Sequence, residues 1–315
     1  MPVAASVADP VDPILALDPG ARGIAAFFAR GGALAAAPTL LRARRVLLTT
    51  GFAVADGVAE TDGPPGTAVL GRALRLLGAQ VRYVTDAVTV PLLEAALKAL
   101  DEPVDILTYR GEPGAAPALL QRERPTHLVA VERPGRGRDG DYRNARGESV
   151  ARWNAPLDDL FLLAQRGRPA SRTGQRRLAP GSPPPLRTIG VGDGGNEIGM
   201  GNVRARLVRQ TPLFARIASV VKVDHLVVAG TSNWGAYGIA AHLGALAGRD
   251  LLHNAALERR MVEACVAAGA VDGITRRREP TVDGLSLDVH AGIVELLRQA
   301  SGRIAVPRGR RGRAS

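Results

Sequence analysis

The chain has 315 residues, of which 46% are hydrophobic and 23% charged, a globular composition that excludes a largely disordered chain. It contains no run of the roughly 18 apolar residues that a membrane span needs. Its start, MPVAASVADPVDPILALDPG, lacks the basic and apolar regions of a secretory signal. The single cysteine, Cys265, excludes an internal disulfide framework and a cysteine-based zinc site. We therefore expect a cytoplasmic protein without a membrane partner.

The formal net charge is +11, because 41 lysines and arginines outnumber 30 aspartates and glutamates. Part of this excess lies in the C-terminal segment PRGRRGRAS, which is typical of a disordered basic tail. Aromatic residues make up only 3% of the chain, so the stacking platforms of single-strand binders are scarce. We therefore expect a solvated arginine surface rather than a nucleic-acid partner.

Short apolar runs alternate with amphipathic stretches along the chain. We predict strands, buried on both faces, at Arg45–Thr50, Val81–Thr85, Val104–Thr108, Thr126–Val131, Arg187–Val191 and His225–Ala229. We predict helices at Thr67–Leu77, Val90–Leu100, Ala115–Arg124, Leu157–Gln165, Ala236–Leu246, Ala255–Ala268 and Leu287–Gln299. This alternation predicts an α/β fold with a mostly parallel, doubly wound (Rossmann-like) sheet of about six or more strands and helices on both faces.

The elements predict a single domain over residues 14–303, between a flexible N-terminus (1–13) and a disordered basic tail (304–315). A stretch rich in proline, glycine and arginine at 167–186 is predicted to be a loop or lid inside the domain. The oligomeric state stays open, with a homo-oligomer among the alternatives. Because ligands of open parallel sheets bind beyond the carboxyl ends of the strands, the polar clusters that follow strands are the candidate site.

The first such cluster is ETDGPPG, which follows the first strand and leads into a helix. Gly63 and Gly66 allow turns and close backbone approach, and the helix N-terminus offers free amide groups to an anion. Glu60 and Asp62 suit an ammonium group or a metal instead. The structural alternative is a capped helix start with ordinary turn acids.

The fourth strand ends in VERPGR, which places Arg133 and Arg136 directly after it. The planar guanidinium group matches a carboxylate, so these arginines suit an acidic small molecule. The structural alternative, a solvated charged loop, is equally compatible with the sequence.

The fifth strand leads into TIGVGDGGNEIGMGN, which contains a G-x-G-x-x-G pattern. A dinucleotide-binding site therefore has to be considered. Asp193 and Glu197 would place carboxylates beside a pyrophosphate, and the acid expected for the ribose is missing after the next strand. The trio Asp193, Asn196 and Glu197 is better suited to an amine, a carboxyl proton or a divalent cation.

The sixth strand leads into GTSNWGAYG, where Thr231, Ser232 and Asn233 offer small hydrogen-bonding groups ahead of a helix. Ser232 lacks the G-x-S-x-G context of a hydrolase nucleophile. Asn233 is equally compatible with a helix cap. The five histidines show no metal-ligand spacing, and we expect them to be structural.

In order, TTGF…ETDGPPG…LGRAL, ERPGR, TIGVGDGGNEIGMGN, GTSNWGAYG and GAVDGIT…TVDGL resemble the D-glutamate cyclase family. Its cyclase domain forms the C-terminal part of mitochondrial members and also occurs as stand-alone bacterial proteins. The early DPGARG also fits, and the resemblance runs from about residue 14 to 300. Ala145 stands where a bulkier residue is expected. The resemblance does not extend to the additional N-terminal domain of the mitochondrial members, so no function of that domain is inferred for this chain.

The resemblance implies a hydro-lyase, a carbon–oxygen lyase that converts D-glutamate to 5-oxo-D-proline and water. Such a reaction requires an ammonium that loses a proton, a γ-carboxylate that is neutralised or polarised, and a stabilised oxyanion. Folding the substrate so that its nitrogen meets its γ-carbon supplies further acceleration. The alternative is a non-enzymatic binding module that holds an acidic metabolite or a nucleotide in its glycine-rich loops.

From this chemistry, and not from the resemblance, we assign a hypothetical role to each cluster. Asp193 and Glu197 transfer protons or bind a metal, with Mg²⁺ or Mn²⁺ the cofactor to consider, and Asn196 orients the γ-carboxyl group. Glu60 and Asp62 hold and deprotonate the ammonium. The remaining substrate contacts are assigned to the side chains of Arg133 and Arg136 (α-carboxylate), the backbone of Gly63, Gly66, Gly194 and Gly195 (oxyanion), and the Thr231, Ser232 and Asn233 loop.

Overall fold

A computed structural model describes residues 9–55, 57–166 and 185–304. The predicted lid at 167–186 and the predicted tail at 304–315 lie outside the described residues except at their ends, as do the first eight residues. Within the described part, no helix is both long enough and apolar enough to cross a membrane.

The centre of the molecule is a six-stranded parallel sheet with the strand order β5-β4-β1-β6-β7-β8. Two short antiparallel hairpins, β2–β3 and β9–β10, lie outside it. The six predicted strands are confirmed, with ends that differ by two residues or fewer. The strands are β1 (Arg45–Thr50), β2 (Ala53–Ala55), β3 (Val58–Ala59), β4 (Gln80–Thr85), β5 (Ile106–Thr108), β6 (His127–Val131), β7 (Arg187–Gly192), β8 (His225–Val228), β9 (Thr281–Val282) and β10 (Leu285–Ser286).

All seven predicted helices are present, and several short ones accompany them. The helix α2 was not predicted, because its sequence GALAAAPTL is almost wholly apolar and shows no polar face. The helices are α1 (Asp12–Leu15), α2 (Gly32–Leu40), α3 (Pro64–Leu76), α4 (Val90–Ala99), α5 (Ala115–Glu123), α6 (Asp158–Arg166), α7 (Arg204–Leu207), α8 (Pro212–Ile217), α9 (Ser232–Ala247), α10 (Ala255–Ala267) and α11 (Leu287–Ser301), with 3₁₀ turns at Ile24–Ala26 and Met200–Asn202.

Helices cover both faces of the sheet and divide the core into two layers. Residues of α2, α3, α4, α9, α10 and α11 form the larger apolar layer, and residues of α5, α6 and α7 form the layer on the other face. A strand that is buried on both faces cannot show apolar–polar alternation, which explains the continuous apolar runs in the sequence. The doubly wound α/β fold predicted from the sequence is confirmed.

The strand order reverses between β1 and β6, which are adjacent in the sheet although far apart in the chain. At such a switch point the connections leave in opposite directions and open a crevice beyond the strand ends. The segments that follow β1, β6, β7 and β8 converge there, and they contain most of the polar residues singled out in the sequence.

Candidate functional site

A cavity of about 140 Å³ opens at this switch point. It is small beside the roughly 300–1,000 Å³ of pockets that hold drug-sized ligands, so it suits a compact molecule. Its charged lining consists of three carboxyl groups and three guanidinium groups. The lining residues are Arg22, Phe52, Val54, Glu60, Glu132, Asn144, Ala145, Arg146, Asn196, Gly273, Ile274, Arg276 and Asp283.

Six carboxyl side chains from four segments of the chain converge beside and beneath the cavity, and we refer to them as the acid cluster. Each is buried, with at most 8% of the residue exposed. The cluster contains the four acids that were predicted as site residues, and it also contains Glu132, which follows β6, and Asp283, which follows β9. Its members are Glu60, Asp62, Glu132, Asp193, Glu197 and Asp283.

Arg22 places a positive charge inside the acid cluster. Its Nη1 donates to Asp193 Oδ2 at 2.5 Å and to Asp283 Oδ2 at 2.9 Å. Burial alone would lower the pKa of Arg22, but the charges of the Asp193 and Asp283 carboxylates outweigh this effect and hold the pKa above its ordinary value. The Asp18 carboxylate holds the backbone of the Arg22 turn by accepting from the amides of Arg22, Gly23 and Ile24. No role was predicted for this arginine, which precedes the first strand.

Asp62 and Glu132 are held by the N-terminus of α9. Asp62 accepts from the backbone amides of Ser232 and Asn233 at 2.8 and 2.9 Å, and Ser232 Oγ donates to Glu132 Oε2 at 2.6 Å. The Thr231 hydroxyl caps the helix by accepting from Trp234 N. The loop predicted to contact substrate therefore positions two acids of the cluster.

Three of the four glycine amides predicted to stabilise an oxyanion, those of Gly63, Gly66 and Gly194, already have acceptors. Gly63 N and Gly66 N both donate to Asn233 Oδ1, at 3.0 and 2.7 Å. Gly194 N donates to Glu197 Oε1 at 2.5 Å, and the Asp193 amide donates to the same oxygen. At Gly195 the backbone has φ +93°, and an added Cβ would meet Leu207 and Phe214. The structure therefore commits the amides of Gly63, Gly66 and Gly194 to acceptors within the protein.

Three side chains of the cavity wall stand on strained backbone. Glu132, Arg276 and Asp283 have φ values of +45°, +61° and +54°, and they are half of the six non-glycine residues with positive φ in the described chain. Such conformations cost energy and cluster at functional sites. Glu60 lies against Gly273, where an added Cβ would come within 1.8 Å of Glu60 Oε2.

Burial is the largest influence on the acid cluster, and it raises the pKa of Glu60, Asp62, Glu132 and Asp193 well above the ordinary range. Neighbouring carboxylates add to the rise, Asp283 for Glu60 and Asp62, and Glu197 for Glu132. Arg22 opposes the rise at Asp193. These four acids therefore hold protons at pH values where exposed acids have lost them.

The structure does not place the predicted α-carboxylate clamp, Arg133 and Arg136, in the cavity wall. Arg133 is fully buried and forms a two-pronged salt bridge with Asp86, at 2.7 and 2.5 Å, with further bonds to the carbonyls of Gly51 and Ala155. Arg136 is paired with Asp158 and Asp159. Both guanidinium groups are thus committed to acids within the protein.

Arg146 and Arg276 instead line the outer part of the cavity. Arg146 donates to the carbonyl of Ile274 at 3.2 Å, and Arg276 lies 3.8 Å from Glu148 with its buried Nε unpaired. The predicted Asn196 also lines the cavity, where its Nδ2 donates to the Arg143 carbonyl. Two guanidinium groups besides that of Arg22 therefore line the same small cavity as three members of the acid cluster.

A doubly wound parallel sheet with a polar cavity at its switch point is typical of α/β proteins that bind a small ligand. A sequence model of the family described as "D-glutamate cyclase-like, C-terminal" matches residues 11–298. The chain belongs to this family.

The human protein "D-glutamate cyclase, mitochondrial" is 37% identical over 249 residues, which make up 74% of this chain and 38% of the human protein. A solved structure of an exopolyphosphatase-related protein from Bacteroides fragilis is 11% identical and gives a TM-score of 0.42, over 86% of this chain and 57% of that one.

If Arg133 is structural, Arg133→Met should lower the free energy of unfolding by about 3–5 kcal/mol, because Asp86 keeps a buried charge without its partner. Urea unfolding measures the loss. The control Arg138→Met changes an exposed arginine and should stay within about 0.5 kcal/mol of the parent protein. A small loss in Arg133→Met would instead return Arg133 to the list of ligand-binding candidates.

Glu60→Gln should raise the melting temperature at pH 7. Because its raised pKa makes the folded state bind more protons than the unfolded state, Glu60 destabilises the fold increasingly as pH rises above about 4. Melting curves between pH 4 and pH 8 should show the variant gaining at high pH and converging with the parent at low pH. Glu94→Gln, at an exposed position, is the control. Equal or lower stability of Glu60→Gln at pH 7 contradicts the prediction.

Proposed function

We propose that this protein is a hydro-lyase that cyclises D-glutamate to 5-oxo-D-proline with release of water. The observation that carries the proposal is the small cavity lined by three acids and three arginines, in a chain of the D-glutamate cyclase-like family. Glutamate has one cationic and two anionic groups, and this lining offers partners of both signs. The name of the human relative supports the same substrate.

In the proposed complex, Arg146 and Arg276 hold the α-carboxylate at the mouth of the cavity. The terminal nitrogens of Arg276 form one loose ion pair, at 3.8 Å from Glu148, so the guanidinium group keeps donors for this bond. The α-ammonium lies between the carboxyl groups of Glu60 and Asp283, which line the inner wall. This arrangement replaces the clamp first predicted at Arg133 and Arg136.

We assign the role of base to Glu60, which lines the cavity and whose pKa is raised by burial and by the charge of Asp283. A base whose pKa approaches the working pH is more effective than an ordinary carboxylate. Glu60 takes a proton from the ammonium, and the neutral nitrogen attacks the γ-carbon of the folded substrate. Confinement in about 140 Å³ favours the compact conformation that this attack needs.

In the second half of the reaction, a protonated acid has to donate a proton to the departing γ-oxygen. We assign this role to Glu132, a member of the acid cluster that lines the cavity. Burial and the charge of Glu197 raise the pKa of Glu132, which favours its protonated form. The nitrogen–carbon bond forms, the carbon–oxygen bond breaks, and the two protons lost by the ammonium leave with the γ-oxygen as water. Asp193 stays paired with Arg22, and Glu197 holds the loop after β7.

The alternative, a binding module for an acidic metabolite or a nucleotide, receives less support. The cavity is small for a nucleotide, and the amides of Asp193 and Gly194 in the G-x-G-x-x-G segment donate to a carboxylate of the same loop. A metabolite that binds without reacting remains the outcome that would favour this alternative.

The protein incubated with D-glutamate should form 5-oxo-D-proline, measured by chiral chromatography. Glu60→Gln and Glu132→Gln should each lower kcat by at least about a hundredfold, the usual contribution of a general acid or base. Glu94→Gln, which changes an exposed glutamate, is the matched control. Absence of product from the folded parent protein would contradict the proposed function.

Arg276→Gln should raise KM for D-glutamate by roughly ten- to a hundredfold, because a hydrogen bond to a charged group contributes about 1.5–3 kcal/mol. Arg277→Gln, at the exposed neighbouring residue, should leave KM unchanged. Steady-state kinetics of the two variants provide the comparison. An unchanged KM in Arg276→Gln would remove this arginine from the proposed clamp.

A further inference from the structure

One segment of the chain, residues 272–284, supplies four of the residues that line the cavity, and we refer to it as the wall segment. These residues are Gly273, Ile274, Arg276 and Asp283. In the proposed complex, Arg276 binds the α-carboxylate and Asp283 binds the α-ammonium, and both residues have positive φ. Within the described chain, residues 272–280 form neither a helix nor a strand. The wall segment therefore needs another source of order.

The carboxylate of Asp272, a fully buried residue, supplies that order. Its Oδ1 accepts from the backbone amides of Ile274 and Thr275, both at 2.8 Å. Its Oδ2 accepts from the Thr281 hydroxyl and from the Gly284 amide, both at 2.7 Å. One side chain therefore joins the two ends of the wall segment.

The two pairs of bonds lie next to the two charged residues that the proposed substrate contacts. Thr275 directly precedes Arg276, whose amide donates to the Asp272 carbonyl at 2.9 Å, and Gly284 directly follows Asp283. Four donors suit an ionised carboxylate, which only accepts, and such bonds are stronger than those to a neutral acceptor. Asp272 is not part of the cavity lining, so its influence on a ligand passes through these neighbours.

The wall segment is also attached to the acid cluster near both of its ends. Thr61 stands between the acids Glu60 and Asp62. Its amide donates to the Val271 carbonyl at 2.9 Å, and its hydroxyl donates to the Thr281 carbonyl at 2.7 Å. These bonds fix where the wall segment begins and returns, and the Asp272 carboxylate fixes the course of the chain between those points.

We propose that Asp272 is a positioning residue for recognition of the α-amino acid head group. The bonds to its Oδ1 hold Arg276 in place for the α-carboxylate, and the bonds to its Oδ2 hold Asp283 in place for the α-ammonium. One buried carboxylate thereby sets the spacing of the two charges that a zwitterionic amino acid has to match. The inference rests on the proposed function for the choice of D-glutamate as the substrate.

Asp272→Asn tests this role, because the amide keeps one accepting oxygen and replaces the other with a group that cannot accept from a backbone amide. We expect KM for D-glutamate to rise by at least about tenfold, and by more than kcat falls. A purely structural role would reduce the amount of folded enzyme, which lowers the apparent kcat and leaves KM unchanged. Asp288→Asn, the same change at an exposed aspartate, is the matched control and should keep both constants.

Thr281→Val separates the two sides of the head-group site, because it removes one donor to Asp272 Oδ2 and leaves both bonds to Oδ1. Glutarate, which has both carboxylates of glutamate but no ammonium group, probes the carboxylate side alone. We expect KM for D-glutamate to rise by at least about threefold in this variant, the effect of one hydrogen bond. The inhibition constant of glutarate should stay that of the parent protein.

An unchanged KM in folded Asp272→Asn would overturn the proposal, as would a Thr281→Val variant that binds both ligands like the parent protein or weakens both equally. If circular dichroism shows Asp272→Asn to be unfolded, the Thr281→Val comparison decides alone. A parent protein that binds D-glutamate in calorimetry without forming 5-oxo-D-proline would refute the proposed function, and the same comparison made with calorimetric affinities would then decide the role of Asp272. Binding of neither ligand by the parent protein would overturn both.

Discussion

The arrangement of the site depends on one electrostatic constraint, the packing of several buried carboxyl groups around the guanidinium group of Arg22. Burying a charge is costly unless it is paired or neutralised, and two ion pairs do not compensate a cluster of this size. The remaining compensation takes the form of retained protons, which is what the raised pKa values of Glu60 and Glu132 describe. A carboxyl group whose pKa is raised by burial is also a candidate for proton transfer, so the burial that lowers stability is the same feature on which the proposed chemistry depends.

The fold makes this cluster tolerable by directing two helix N-termini at it. The helices α3 and α9 begin at Pro64 and Ser232, next to the acids after β1 and β6, and their positive ends favour negative charge there. The Asp62 carboxylate accepts a hydrogen bond from a backbone amide at the start of α9. In turn, the side-chain oxygen of Asn233, in the first turn of α9, accepts hydrogen bonds from backbone amides at the start of α3. The two helices are therefore locked to each other through side chains of the site. This reciprocal arrangement explains the glycine in the first turn of α3: an added side chain at Gly66 would meet the backbone of Asn233.

The architecture could be predicted from the sequence because buried parallel strands appear as short, continuous apolar runs. The four predicted acids lie together because the carboxyl ends of neighbouring parallel strands share one edge of the sheet. The ion pairs between side chains of distant segments could not be predicted from the sequence. The guanidinium group of Arg133 is matched with Asp86, and that of Arg136 with Asp158, and nothing local distinguishes such an arginine from one that awaits a ligand. Arg22 was overlooked for the opposite reason, because it precedes the first strand and reaches the site through tertiary packing alone.

The G-x-G-x-x-G segment after β7 shows why a motif has to be interpreted together with its charges. In a dinucleotide site the amides of such a loop are free to bind phosphate, whereas here Glu197 folds back and accepts two of them. An internal carboxylate thus occupies the place of the anion, and the loop becomes a rigid holder for Asp193 beside Arg22. The same glycine geometry that brings a backbone close to a phosphate therefore brings one carboxyl group close to others. In this family member, the anion-binding capacity of the loop is used to hold an acid of the protein itself at the switch point.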